Sequence, residues 1–172
     1  MTTVSRQSRS GFTLIELVLY FGVASLLFVS ITSIFLLLVQ GQVKQQSIAE
    51  VEQQAAFVME YMTQAIQNAD SITTPSAGSS GSGLQLVAVN PGDDPVIFQE
   101  SSGVLQVSIG GAAYENLTSD TVTLSSLYFT TVSPSSTSEV VQIQFTLERT
   151  NSADRQEYEY SKTYQTSVSV RN

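Results

Sequence analysis

Glu16 is a lone carboxylate set into an apolar run that opens at Phe12 and continues to Val39. An ionised acid at the centre of a membrane-spanning helix costs about 2.5–3.5 kcal/mol, so its chemistry is that of an acceptor in need of a cation or of the interface. A second acidic feature, Asp93 and Asp94 beside Pro91-Gly92, has residue types suited to calcium, a hard cation that gathers ~6–8 oxygens. The same residue types also close turns for backbone reasons alone. Glu157 and Glu159 alternate with Tyr158 and Tyr160, the pattern of a solvated strand face. Tyr128, Tyr158, Tyr160 and Tyr164 suit either an adhesive patch or half-buried strand positions.

Nucleophilic and transition-metal chemistry have little to draw on. The 172 residues include no His and no Cys, which removes the commonest general base, the thiol nucleophile and the zinc or haem ligand sets built on them. Ser is abundant, but without His no Ser-His-Asp triad can form, and no Ser-x-x-Lys pattern occurs. The expectation is a protein that is not an enzyme and needs no cofactor. Seven Lys and Arg face 15 Asp and Glu, a net charge of −8, with no basic residue between Lys44 and Arg149. Nucleic acid is therefore disfavoured as a partner, because nothing there can displace counterions from a phosphate backbone.

The element that must position Glu16 is its own helix. Leu17 to Val39 is 23 residues without a charge. At ~1.5 Å per residue it covers roughly 35 Å, enough for a ~30 Å hydrocarbon core. Gly22, Ser25, Ser30, Thr32 and Ser33 are small or weakly polar, the kind of residue that lets helices approach closely. Arg6 and Arg9 precede the run and Lys44 follows it, which predicts a cytoplasmic N-terminus and an exported remainder. A secretory signal has an apolar run of about 7–15 residues followed by its cleavage site. Here Gly11-Phe12 stands before a longer run.

The stretch "SGFTLIEL", Ser10 to Leu17, resembles the processing signature of type IV prepilins and pseudopilins: a basic leader ending in Gly, then Phe, with Glu fifth from the cut. The resemblance implies that a prepilin peptidase cuts after Gly11 and methylates the new amine of Phe12. It also implies partners: other pilin or pseudopilin subunits, an inner-membrane assembly platform, and membrane lipid before assembly. "MTQAIQNADSI" and the ending "QTSVSVRN" look like W-type minor pilins and J-type pseudopilins of type II secretion. The span differs from many major pilins in having no proline; Pro75, Pro91, Pro95 and Pro134 all lie later.

Simple electrostatics fits that chemistry. Before cleavage the Phe12 nitrogen is an uncharged amide; afterwards it is a cation. Opposite charges ~4 Å apart attract by about 4 kcal/mol at an effective dielectric near 20, which roughly cancels the cost of burying Glu16. Glu16 is thus expected to accept the Phe12 ammonium of a neighbouring subunit. The alternative is a carboxylate that snorkels to the cytoplasmic face.

Beyond the span, Ile48, Val51, Ala55, Val58, Met62, Ile66 and Ala69 recur at spacings of 3 or 4, with Gln and Glu between them. This predicts an amphipathic continuation of the helix that stops near Asp70 or Ser71. "TTPSAGSSGSG" reads as a loop. Strands are expected at "LQLVAV", "PVIFQE", "GVLQVSI", "TVTLSSLYFTTV", "EVVQIQFTLER" and "QEYEYSKTYQTSVSV", for their β-branched and aromatic content and, in several, period-two alternation. The expected organisation is a leader at 1–11, a membrane helix at 12–39, an exported helix half at 40–71, a loop at 72–83 and a β-rich head at 84–172. The expected fold class is α+β, a long N-terminal α-helix packed against a C-terminal antiparallel β-sheet.

Two functions follow: a filament subunit in a periplasmic or cell-surface fibre, or a single-pass anchored β domain that binds a surface ligand without polymerising.

Overall fold

The computed structural model describes residues 11–135, 138–151 and 158–171. The basic leader with Arg6 and Arg9, and Glu157, lie outside them. Helix α1 runs Leu14–Gln67, 54 residues without a break. The chain divides into two compact units, residues 1–42 and 43–172. In the first, every described side chain is exposed along the helix.

In the second unit the predicted apolar stripe is buried at Val51, Ala55, Val58, Met62 and Ile66. Helical spacing puts these five on one face, and that face packs on strands. The helix stops earlier than expected. Its ladder closes with Asn68 N–H donating to the Gln64 carbonyl, 3.0 Å. Residues 69–74, expected as helix end and loop, form strand β1, Ala69–Thr74. Ala69 remains buried, as the sequence spacing predicts, but in a strand paired with Ala88. The β-branched Ile72, Thr73 and Thr74 just before Pro75 favour that switch.

Among the described residues, nine strands form two antiparallel sheets. The first has the order β1-β3-β4-β5-β6, with β3 Leu84–Ala88, β4 Val96–Ser101, β5 Val104–Ile109 and β6 Glu115–Asn116. The second has the order β2-β7-β8-β9, with β2 Ser80–Gly81, β7 Val122–Ser135, β8 Ser138–Arg149 and β9 Ser161–Ser169. The α+β class is as expected, but the strands are shared between two sheets. The chain changes sheets inside the Gly/Ser-rich segment, where β2 bonds to β7 and β3 bonds to β1 and β4. The last expected strand is also shorter, with β9 starting at Ser161.

Both sheets share one core. Leu84, Leu86, Phe98 and Leu105 of the first sheet and Phe129, Ile143, Phe145 and Leu147 of the second join the helix stripe in a single cluster. Each fully buried side chain of this size contributes roughly 1.5–3 kcal/mol. A bulge between Leu124 and Ser126 in β7 re-phases the strand, so that Leu124 and Leu127, three residues apart, both point inward. The β4–β5 hairpin turns through Ser102 and Gly103, both at positive φ (53° and 78°), as a two-residue loop between twisted strands requires.

Candidate functional site

The first turn of α1 is built by its own sequence. Thr13 precedes the helix and caps it: its carbonyl accepts from Leu17 N–H at 3.2 Å and its Oγ1 from Glu16 N–H at 3.4 Å. Thr-x-x-Glu is the capping-box pattern, and an acid in the first turn is also favoured by the helix dipole. Glu16 therefore has a local reason to sit where it does. Its carboxylate oxygen Oε1 accepts from the Tyr20 hydroxyl at 3.4 Å, and the Tyr20 ring lies 5.8 Å from the Phe12 ring at 52°. Gly11, Phe12 and Glu16 are all exposed. A side chain built at Gly11 meets nothing within 4 Å.

The polar residues of the following run are satisfied internally. Ser25, Ser30, Thr32 and Ser33 donate their hydroxyls to the carbonyls of Gly22, Leu26, Phe28 and Val29 at 2.8–2.9 Å. Hydroxyls bonded in this way do not present unpaired donors to hydrocarbon. Leu36, Leu37, Leu38 and their neighbours stand exposed on a helix long and apolar enough to cross a membrane.

No protein-family model matches the chain, and no curated protein or solved structure matches it. A functional assignment therefore rests on the chain's own residues.

Asp93 and Asp94 lie in the β3–β4 connection and are engaged in holding it closed. Asp93 Oδ2 accepts from Asn90 Nδ2 at 2.9 Å, and Asp94 Oδ1 accepts from Ala88 N–H at 3.1 Å. Among the described residues no group of three or more acids stands together as a metal cage. The two carboxylates face different donors, which is the turn-forming role their residue types allow.

The four tyrosines are not brought into one patch. Tyr128 is exposed on β7, whereas Tyr164 stacks on Phe145 at 5.4 Å on the core side of the second sheet. Tyr160 donates to Glu52 Oε1 at 3.2 Å, and the Arg149 guanidinium sits 5.8 Å from the Tyr158 ring centre. The Lys162 ammonium also reaches Glu52 Oε1, 2.5 Å away. That hydrogen bond holds the Glu52 carboxyl below its ordinary range, against desolvation, with a further hydrogen bond from Tyr160. The same contact pushes the Lys162 ammonium up. Burial, helped by the nearby Glu52 charge, raises the Tyr160 and Tyr164 phenols. A second pair joins Arg149 to Glu50 at 3.0 Å, and Arg149 also donates to the Thr121 carbonyl.

One concavity escaped the sequence reading. A groove of about 750 Å³ lies between the end of α1 and the β3–β4 loop, lined by Tyr61, Asn68, Leu86, Val89 and Pro91 among others. These residues come from separate segments, and no local spacing marks them.

Proposed function

We propose that the chain is a structural subunit, a minor pilin or pseudopilin, of a type IV pilus-like or type II secretion filament. The observation that carries the reading is what stands together at the start of α1. An exposed Gly11-Phe12 bond and a first-turn Glu16 are followed by an uncharged helical run whose side chains are all exposed. Apolar side chains over the length of a membrane span are stable only in lipid or against other helices. In this reading a prepilin peptidase cuts after Gly11 and methylates Phe12. An inner-membrane platform then moves the chain from lipid into the filament. There Glu16 receives the Phe12 ammonium of a neighbouring subunit, which makes cleavage the licence for assembly. The N-terminus is cytoplasmic, and the head lies outside the cytoplasm, periplasmic or at the cell surface after assembly.

The groove beside Tyr61 and Val89 favours a second reading, a single-pass anchored domain that binds a surface ligand and does not polymerise. Intact mass and N-terminal sequencing of the chain from membranes with an active prepilin peptidase separate the two. A chain starting at methylated Phe12 supports the subunit. A chain still starting at Met1 supports the anchor.

A further inference from the structure

We infer that Tyr20 is a positioning residue for subunit pairing: its hydroxyl ties one oxygen of the Glu16 carboxylate and leaves the other free for the incoming Phe12 ammonium. The inference rests on the filament-subunit reading above. Tyr20 stands one turn beyond Glu16, and helical side chains tilt toward the helix N-terminus, so a residue at i+4 reaches back to i. The hydroxyl lies 3.4 Å from Glu16 Oε1. The ring of Phe12 flanks it at 5.8 Å, so the residue that becomes the amine donor, the acceptor and the phenol share one side of the helix start.

Thr13 Oγ1, also at the helix start, faces the Glu16 amide and not its carboxylate. The hydroxyls of Ser25, Ser30, Thr32 and Ser33 lie two or more turns beyond Glu16 and donate to carbonyls of their own helix. Tyr20 is the residue whose hydroxyl reaches the Glu16 carboxylate. A phenol hydroxyl in an apolar setting needs an acceptor, and a carboxylate needs donors, so each removes the other's desolvation penalty. An ionised carboxylate has about four lone-pair sites. One bond from Tyr20 to Oε1 therefore leaves room for an ammonium at Oε2.

The test is a double-mutant cycle in the full-length chain in its own host: wild type, Tyr20→Phe, Glu16→Ala and the double variant. The fraction of N-terminally processed chain recovered in sheared filaments is measured for each. Tyr20→Phe keeps the ring and its contact with Phe12, and removes only the hydroxyl. The expected result is processing as in wild type and a fall in incorporation of about threefold to tenfold for Tyr20→Phe, the size of one ordinary net hydrogen bond. Because Tyr20 acts through Glu16, the double variant should fall no lower than Glu16→Ala alone. A purely structural role for Tyr20 would multiply the two losses, and that outcome overturns the inference. Wild-type incorporation of Tyr20→Phe beside a defective Glu16→Ala overturns it too, but leaves the subunit reading standing. Wild-type incorporation of Glu16→Ala overturns the pairing itself, and failure of the wild type to be processed overturns the subunit reading.

Discussion

Lys162, near the start of β9, and Glu52, on α1, are 110 residues apart in sequence and meet at 2.5 Å. Tyr160 adds its hydroxyl to the same carboxylate oxygen, so one acid of the helix is held by two residues of the C-terminal segment. Two residues earlier on α1, Glu50 is held by Arg149 of β8. These two contacts tie the C-terminal part of α1 to the second sheet outside the apolar core, and they differ in how much water surrounds them.

Arg149→Ala should destabilise the head by about 2–3 kcal/mol, whereas Lys162→Ala should leave its stability nearly unchanged. The Arg149 side chain is 17% exposed and Glu50 30%, so removing the guanidinium strands a carboxylate that solvent reaches poorly. The Lys162 pair is 46% and 41% exposed, where ion pairs contribute little. Thermal unfolding of both variants in detergent, followed by circular dichroism, checks the order; equal losses would contradict it.

The Glu52–Lys162 pair also predicts a pH profile. Glu52 is held below the ordinary carboxylate range, so its contribution is present above the unfolded value and lost as pH falls through the folded one. Lys162 is raised, so its contribution is present below the unfolded ammonium value and lost as pH rises through the folded one. The stability difference between wild type and Glu52→Gln should be small and flat between ~pH 5 and ~pH 9, and shrink outside that window. A difference that grows at low pH would reverse the assignment.

Gly103→Ala should cost more than about 1 kcal/mol. Gly103 has φ of 78°, and a Cβ there would lie 2.8 Å from Thr123 Cγ2 on β7. Backbone strain and the close approach act together, because the β4–β5 turn packs over the other sheet. Denaturant unfolding measures the loss; a midpoint equal to wild type would show that Thr123 moves aside freely.

Gly11→Val should leave the thermal stability of the head unchanged and block N-terminal processing. The added side chain has open space around it in the structure, so the fold has no reason to object. In the subunit reading, a peptidase cleft that must approach the backbone closely does. Intact mass of the variant beside the wild type decides it, and a variant processed at the wild-type rate would count against Gly11 as the residue before the cut.

The helix stripe from Val51 to Ile66 and several of the described strands follow local periodicity, which the sequence carries directly: 3.6 for the helix and 2 for a half-buried strand. The short strands β2 and β6, two residues each, have too few positions to show any period. Strand β1 was hidden because Ala69 continues the helical spacing, while its strand pairing is with Ala88. The bulge at Ser125 was likewise invisible to a strict alternation.

The sequence by itself determined the features that need only neighbours along the chain. These are the uncharged run after Glu16, the Thr13–Glu16 cap, the amphipathic stripe and the turn at Ser102-Gly103. Tertiary structure alone decided which sheet each strand joins, which acid Lys162 and Arg149 meet, and where the groove beside Tyr61 opens. The reason is physical. A cap or a stripe is closed by residues three or four positions away, whereas the partners of Glu52 and Glu50 lie 110 and about 100 residues off, chosen by how two sheets and one helix bury a shared core.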